Sequence, residues 1–133
     1  SMPGYVVTKV SDVLNLYERS VKGSSVLILG VTYKPNVGDI RESPALDIIE
    51  LLRKKGAHVS YNDPFVPQFQ IHDLDMTSVS LDGQTVRSAD CVLITTNHES
   101  YDYQWLVDNA KCVFDTRNAT SGLNDTVGKV FKL

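Results

Sequence analysis

The apolar residues fall into patterns that predict alternating strands and helices. Two continuous apolar runs, at residues 26–29 and 91–95, are typical of strands that are buried on both faces. Residues 45–55 carry apolar side chains at spacings of three and four, which predicts a helix that lies on a sheet. Ser43 and Pro44 supply an N-cap and a favourable first helical residue. Because another apolar run follows this helix at once, the segment predicts a β-α-β unit with parallel strands and a right-handed crossover.

The rest of the chain continues the alternation. An amphipathic helix is predicted over residues 3–21, before the first strand. The other predicted elements are a strand at 57–61, a short strand near 78–81, helical turns at 85–89, a helix at 103–110 and strands at 112–114 and 129–131. This order predicts an α/β fold: a three-layer, doubly wound, mainly parallel sheet of the Rossmann-like kind, preceded by an N-terminal connector helix.

Composition and charge narrow the classes of partner. A chain of 133 residues fits one domain with a substantial core. Its net charge of -3 gives no basic field for a nucleic acid, and no apolar run approaches the roughly 20 residues of a membrane span. Cys91 and Cys112 begin apolar runs, which predicts small buried side chains, without a disulfide or metal site, in a reducing cytoplasm.

Polar loops follow several of the predicted strands. They occupy residues 31–42, 96–102 and 115–118, and their basic side chains are Lys34, Arg41, His98 and Arg117. In open α/β sheets, ligands bind at the carboxyl ends of the strands. The helix that begins at Pro44 adds free N–H groups and partial positive charge. The pattern predicts a site for an anionic ligand, most simply a nucleotide.

Each of these residues also has an ordinary structural interpretation. A basic side chain in a loop is typically a solvated surface charge. Arg41 can pair with Asp39 across the loop, and His98 is expected to be a surface loop histidine. Asp63, which precedes Pro64, is expected to form a turn rather than to bind a ribose.

The sequence shows no catalytic group. Only Gly30 stands at the turn after the first strand, so the G-x-G-x-x-G fingerprint of an autonomous dinucleotide-binding half is absent. There is no nucleophile elbow and no Ser–His–acid order. The histidines lack the spacing of metal ligands. We therefore expect no catalytic residue and no metal site.

A long segment resembles a known family. The string LGVTYKPNVGDIRESPALDIIELLRKKGAHVSYNDPFVP, at residues 29–67, is similar to the signature of the C-terminal domain of the UDP-glucose/GDP-mannose dehydrogenase family. The run at 91–98 and the DTRN loop at 115–118 also resemble it, and the details are most similar to bacterial UDP-N-acetylhexosamine 6-dehydrogenases. The resemblance implies two parts: residues 1–22 as the end of the family's central helix, and residues 23–133 as a UDP-sugar-binding domain.

The resemblance also implies an activity and site residues. Enzymes of the family oxidise the C6 hydroxyl of a nucleotide sugar to a carboxylate with NAD, which supplies polysaccharide precursors. Tyr33, Lys34 and Arg117 would contact the UDP-sugar, and Arg41 would reach an NAD held mainly by an N-terminal domain. The full-length enzyme is expected to be a cytoplasmic homo-oligomer.

The NAD fingerprint and the motif around the family's catalytic cysteine are both absent from the chain. The isolated domain is therefore expected to be inactive, with its nucleotide-facing loop open as half of a site. The alternative is a stand-alone nucleotide-binding or oligomerisation module without chemistry.

Overall fold

A parallel five-stranded sheet forms the centre of the protein in the computed structural model, which describes residues 1–133. The helices are α1 (Met2–Leu16), α2 (Pro44–Lys54), α3 (Gly83–Ser88) and α4 (Tyr103–Asn109). The strands are β1 (Ser25–Leu29), β2 (His58–Asn62), β3 (Gln68–Ile71), β4 (Leu74–Thr77), β5 (Cys91–Ile94), β6 (Val113–Asp115) and β7 (Val130–Lys132). The strand order in the sheet is β2-β1-β5-β6-β7. All four strand pairings in it are parallel.

Side chains of β1 point alternately to the two faces of the sheet. Val26 and Ile28 belong to the cluster that includes the buried residues of α1 and α2. Leu27 and Leu29 belong to the cluster that includes those of α3 and α4. The sheet is thus covered by helices on both faces, which confirms the predicted three-layer α/β fold.

Helix α1 is a part of the same core as the sheet. Its residues Val6, Val10 and Leu14 are buried in the larger cluster, where α1 packs against α2. The helix ends at Leu16, before the predicted residue 21, because the chain reverses at Glu18 with a φ of 61°. The assignment of residues 1–22 to a central helix stays a prediction.

The segment between β2 and α3 differs from the prediction. A strand near residues 78–81 was expected, and this is wrong: β3 and β4 form an antiparallel hairpin earlier in the chain. Phe69 and Met76 are paired across the hairpin and both are buried. Buried and polar residues alternate along both strands, as in a strand with one buried face. Each strand is only four residues long, so this pattern is too short to stand out in the sequence.

Cys91 is the first residue of β5, and Cys112 directly precedes β6, the neighbouring strand. Both cysteines are free and buried. This confirms their prediction as small core residues. A hydrogen bond with Cys112 and burial raise the pKa of the Cys91 thiol well above its ordinary value.

No helix combines the length and the apolar character that a membrane crossing requires.

Candidate functional site

The loops after β1, β5 and β6 meet at one edge of the sheet, as their parallel pairing requires. Two threonines after β5 tie them together: the Thr95 hydroxyl donates to the main-chain oxygen of Gly30, and the Thr96 hydroxyl donates to that of Thr32 over 2.6 Å. Both threonines are buried. The predicted convergence of the polar loops is therefore present in the structure.

Gly30 makes this close approach possible. Its φ is +86°, and a Cβ atom at this position would lie 2.3 Å from the Cβ of Thr96 and 2.8 Å from the main-chain N and O of the same residue. Only glycine fits such a contact. Because Thr96 fills the space above the turn, the residues around β1 do not form a cradle for a dinucleotide pyrophosphate.

Tyr33 and Lys34 lie on the exposed part of the loop after β1. The loop is folded back on itself, since the Tyr33 amide donates to the Asp39 oxygen over 3.3 Å and the Thr32 hydroxyl donates to the Lys34 oxygen over 2.7 Å. The Tyr33 residue is 49% exposed. Lys34 is exposed and forms no ion pair, so its ammonium group is available to a ligand.

Arg117 joins the loop after β6 to the loop after β1. Its Nε donates to the Thr95 oxygen over 3.0 Å, and its Nη2 donates to the Tyr33 oxygen over 3.3 Å. The guanidinium of Arg117 is thereby fixed beside the loop that carries Lys34. Two of the predicted basic side chains therefore belong to neighbouring loops at one edge.

Asp115 holds the backbone from which Arg117 projects. The carboxylate of Asp115 is buried and accepts hydrogen bonds from the amides of Arg117, Ala119 and Thr120 and from the Thr120 hydroxyl, at 2.5–3.1 Å. Burial alone would raise the pKa of Asp115, but these hydrogen bonds outweigh it and lower the pKa below its ordinary value.

Arg41 is held differently from the other basic residues. Its Nε and Nη2 donate to the two carboxylate oxygens of Asp39, each over 3.0 Å, as the sequence allowed. The Arg41 side chain is 86% exposed. The hydrogen bonds from Arg41 lower the pKa of Asp39 to about 2. Arg41 therefore faces solvent in an ion pair and bonds to neither the Lys34 nor the Arg117 side chain.

His98 is not the surface histidine that was expected, and that prediction is wrong. Its side chain is fully buried, with Nε2 2.9 Å from Oδ2 of Asp63. Asp63 does form the expected turn, since its Oδ1 accepts from the Phe65 amide over 2.8 Å. The sequence contained one signal for the pair: both residues follow strands predicted to be parallel. Which strands neighbour one another is set by the tertiary fold.

The protein has no group of three or more side chains that could hold a metal ion. The loops at this edge carry the cationic side chains of Lys34 and Arg117 and the exposed ring of Tyr33. Arginine binds phosphate as a two-pronged donor and lysine as a point charge. The chemistry of the edge is therefore that of anion binding.

Comparison with known proteins identifies the family of the chain. The sequence pattern described as "UDP-glucose/GDP-mannose dehydrogenase family, UDP binding domain" matches residues 27–122. The UDP-N-acetyl-D-mannosamine dehydrogenase of Methanococcus maripaludis strain C7 is 32% identical over 126 residues, which are 89% of this chain and 28% of that protein. The UDP-glucose 6-dehydrogenase TuaD of Bacillus subtilis is 45% identical over 60 residues, which are 45% of this chain and 12% of that protein.

Solved structures agree with the sequence comparison. The UDP-N-acetyl-mannosamine dehydrogenase Cap5O of Staphylococcus aureus superimposes with a TM-score of 0.74 at 31% identity, over 99% of this chain and 30% of that one. A UDP-D-ManNAc dehydrogenase structure from Pyrococcus horikoshii shares the fold, with a TM-score of 0.78 at 23% identity, over 98% of this chain and 30% of that one. The chain thus spans about 28% of the length of the relatives that it matches over most of its own length. It belongs to the UDP-glucose/GDP-mannose dehydrogenase family, in which it corresponds to the UDP-binding domain.

Proposed function

We propose that this chain is the C-terminal UDP-sugar-binding domain of an NAD-dependent UDP-sugar 6-dehydrogenase. In this proposal residues 1–22 end the central helix and residues 23–133 bind the substrate. The whole enzyme oxidises the C6 hydroxyl to a carboxylate in two steps, and each step passes a hydride to one NAD. The names of the similar proteins favour a UDP-N-acetylhexosamine as the substrate.

One observation carries the proposal: Arg117 contacts the Tyr33 main-chain oxygen at 3.3 Å, which brings a fixed guanidinium beside the loop of the free Lys34. Such a pair suits the charge of a diphosphate, because guanidinium and ammonium groups both bind phosphate oxygens. We assign Lys34 and Arg117 to the UDP-sugar. Tyr33 has an exposed ring on the same loop, and we assign it to the UDP-sugar as well.

The cofactor is assigned to another part of the enzyme. The turn at Gly30 is filled by Thr96, so this domain has no pyrophosphate cradle of its own. Arg41 is exposed at the edge of the loop, and we assign it one contact with an NAD that an N-terminal domain holds. NAD supplies the hydride acceptor, and this chain contributes binding and orientation.

No nucleophile in the chain suits the oxidation. Cys91 and Cys112 both lie in the core, out of reach of a substrate. A hydrogen bond with Cys112 and burial raise the pKa of the Cys91 thiol. A hydrogen bond with Cys91 lowers the pKa of Cys112, but its sulfur is buried as well. We therefore propose that the isolated chain turns nothing over. The free thiols favour a reducing compartment, the cytoplasm, in which the homo-oligomeric enzyme makes precursors of polysaccharides.

Calorimetric titration of the purified chain with UDP and with UDP-sugars tests the binding assignment. Lys34→Ala should weaken binding by about tenfold, because a hydrogen bond to a charged group is lost. Lys55→Ala is the matched control, since Lys55 is an exposed lysine that follows α2 at the opposite edge of the sheet. Equal affinities for Lys34→Ala and the wild type would reject the assignment.

A second assay tests whether the chain is only one domain of a dehydrogenase or is active by itself. The purified chain is incubated with NAD and a UDP-sugar, and NADH is followed by absorbance. No NADH should form, and its appearance would contradict the proposed division of labour. The alternative, a stand-alone module that binds nucleotide without chemistry, predicts the same UDP binding and the same lack of NADH. Reduction of NAD by a longer natural chain that contains this domain would exclude that alternative.

A further inference from the structure

Asp63 and His98 join over the carboxyl end of β1. Asp63 follows β2 and His98 lies in the loop after β5, and these two strands are the neighbours of β1 in the sheet. The imidazole Nε2 lies 2.9 Å from Asp63 Oδ2, and neither side chain has any exposed surface. The pair therefore crosses the point at which the chain leaves the sheet and enters the loop of Tyr33 and Lys34.

The hydrogen bonds fix the tautomer of His98. The main-chain N–H of Asn36 donates to Nδ1 of His98 over 2.8 Å, so Nδ1 carries no proton. Nε2 then carries the proton and donates it to Asp63. Asp63 also accepts from the amides of Val31 and Phe65, each over 2.8 Å. The Asp63 carboxyl group thus accepts three hydrogen bonds, and both nitrogens of the imidazole have a partner, so no polar atom of the buried pair is left without a hydrogen bond.

Asn36 is attached to the loop after β5 at two points. Besides the bond to His98, its side-chain Oδ1 accepts from the Glu99 amide over 2.9 Å. Asn36 has a φ of 64°, a conformation that asparagine tolerates better than most residues. The Phe65 ring packs on the imidazole, with 4.8 Å between ring centroids. The tip of an otherwise exposed loop is thus fastened to a buried and fully bonded histidine.

We propose that His98 is a positioning residue, which fastens the loop of residues 33–38 to the sheet and so holds Tyr33 and Lys34 in place for the ligand. Asp63 orients the imidazole, and Nδ1 then presents an acceptor to Asn36. The inference rests on the proposed function for the identity of the ligand, UDP. The fastening of the loop is independent of any ligand.

Two substitutions separate the two bonds of the imidazole. In His98→Asn the amide oxygen takes the place of Nδ1, so the acceptor for Asn36 is kept and the donor to Asp63 is lost. In His98→Gln the amide nitrogen takes the place of Nε2, so the donor to Asp63 is kept and the acceptor for Asn36 is lost. His58→Gln, at an exposed histidine where β2 begins, is the control.

Hydrogen exchange and calorimetry give separate measurements on each variant. The Asn36 amide should be protected in the wild type and in His98→Asn and should lose protection in His98→Gln. The dissociation constant for UDP should rise about tenfold in His98→Gln, because only a fraction of the loops then has the binding conformation. It should change less than about twofold in His98→Asn and in the control.

The results distinguish this inference from the proposed function. Protection of the Asn36 amide in His98→Gln, or equal loss in both variants, would overturn the fastening. So would a wild-type ¹⁵N spectrum in which His98 carries its proton on Nδ1, and this measurement needs no variant. Absence of UDP binding by the wild type would reject the proposed function, while the exchange data would still decide the role of His98.

Discussion

Arg117 contacts the main-chain oxygen of Tyr33 across 84 residues of sequence, through Nη2 at 3.3 Å. The same guanidinium donates from Nε to Thr95 at 3.0 Å, so one side chain joins three loops. Arg117 therefore contributes to the stability of the edge as well as to its charge.

Arg117→Lys keeps the charge and removes the planar fork that reaches both carbonyls. The free energy of unfolding should fall by about 1 kcal/mol, and UDP binding should weaken severalfold. Urea denaturation and calorimetry measure the two effects. Arg87→Lys is the control, because Arg87 bonds only to Asn109 between α3 and α4. Unchanged stability in Arg117→Lys would show that the two carbonyl contacts contribute nothing.

Gly30→Ala should be strongly destabilising, by more than about 3 kcal/mol, because the added Cβ meets the Thr96 backbone. Gly23→Ala provides a matched control: Gly23 has the same φ of +86° and no atom within 4 Å of a built Cβ. It should cost only the backbone term of about 1 kcal/mol. Urea denaturation compares the two, and equal losses would mean that the contact with Thr96 relaxes freely.

Acid should weaken the fold through Asp115. Its pKa is lower in the folded state than the unfolded value of about 3.9. The stabilisation is therefore fully present above about pH 4 and is lost as the pH falls through the folded-state pKa. Asp115→Asn should lower the free energy of unfolding by about 2 kcal/mol at neutral pH, since its amide cannot accept from all four donors.

The difference between the wild type and Asp115→Asn should shrink as the pH is lowered towards about 3, in urea denaturation at a series of pH values. Asp12→Asn, at an exposed position of α1, is the control. A difference that stays constant across this range would show that the loss does not depend on the charge of Asp115.

Arg41→Ala should leave both the urea midpoint and the affinity for UDP unchanged. The pair of Arg41 with Asp39 is exposed, and exposed ion pairs contribute little to stability. The proposed contact of Arg41 is with a cofactor that this chain does not hold by itself. The assignment to the cofactor would be contradicted if Arg41→Ala weakened UDP binding as much as Lys34→Ala.

The sequence was sufficient for the layers of the fold. The run at residues 26–29 is apolar on both faces, and Ser43 caps α2 through a bond from the Ala45 amide at 3.2 Å. Such signals are local, so they survive without tertiary information. The hairpin of β3 and β4 was missed because Phe69 and Met76 lie in strands of four residues among polar and proline residues.

The site was predicted less completely than the fold. Parallel strands place their loops at one edge, which is why the position of Arg117 near the loop of Lys34 could be expected. The burial of His98 could not, because it depends on Asp63, 35 residues away, and on which strands flank β1. A polar residue becomes a core residue only when its partners are assembled around it.

The burial of Cys91 and Cys112 gives the protein an internal reporter of its own opening. Both side chains belong to the larger core cluster, on the face of the sheet that α1 and α2 cover, so a thiol reagent in solution can reach these sulfur atoms only when that core opens. The rate of labelling under native conditions therefore measures how often the centre of the sheet is exposed, with no probe added to the chain. Variants of the loops can then be ranked by whether they disturb the edge alone or the whole sheet.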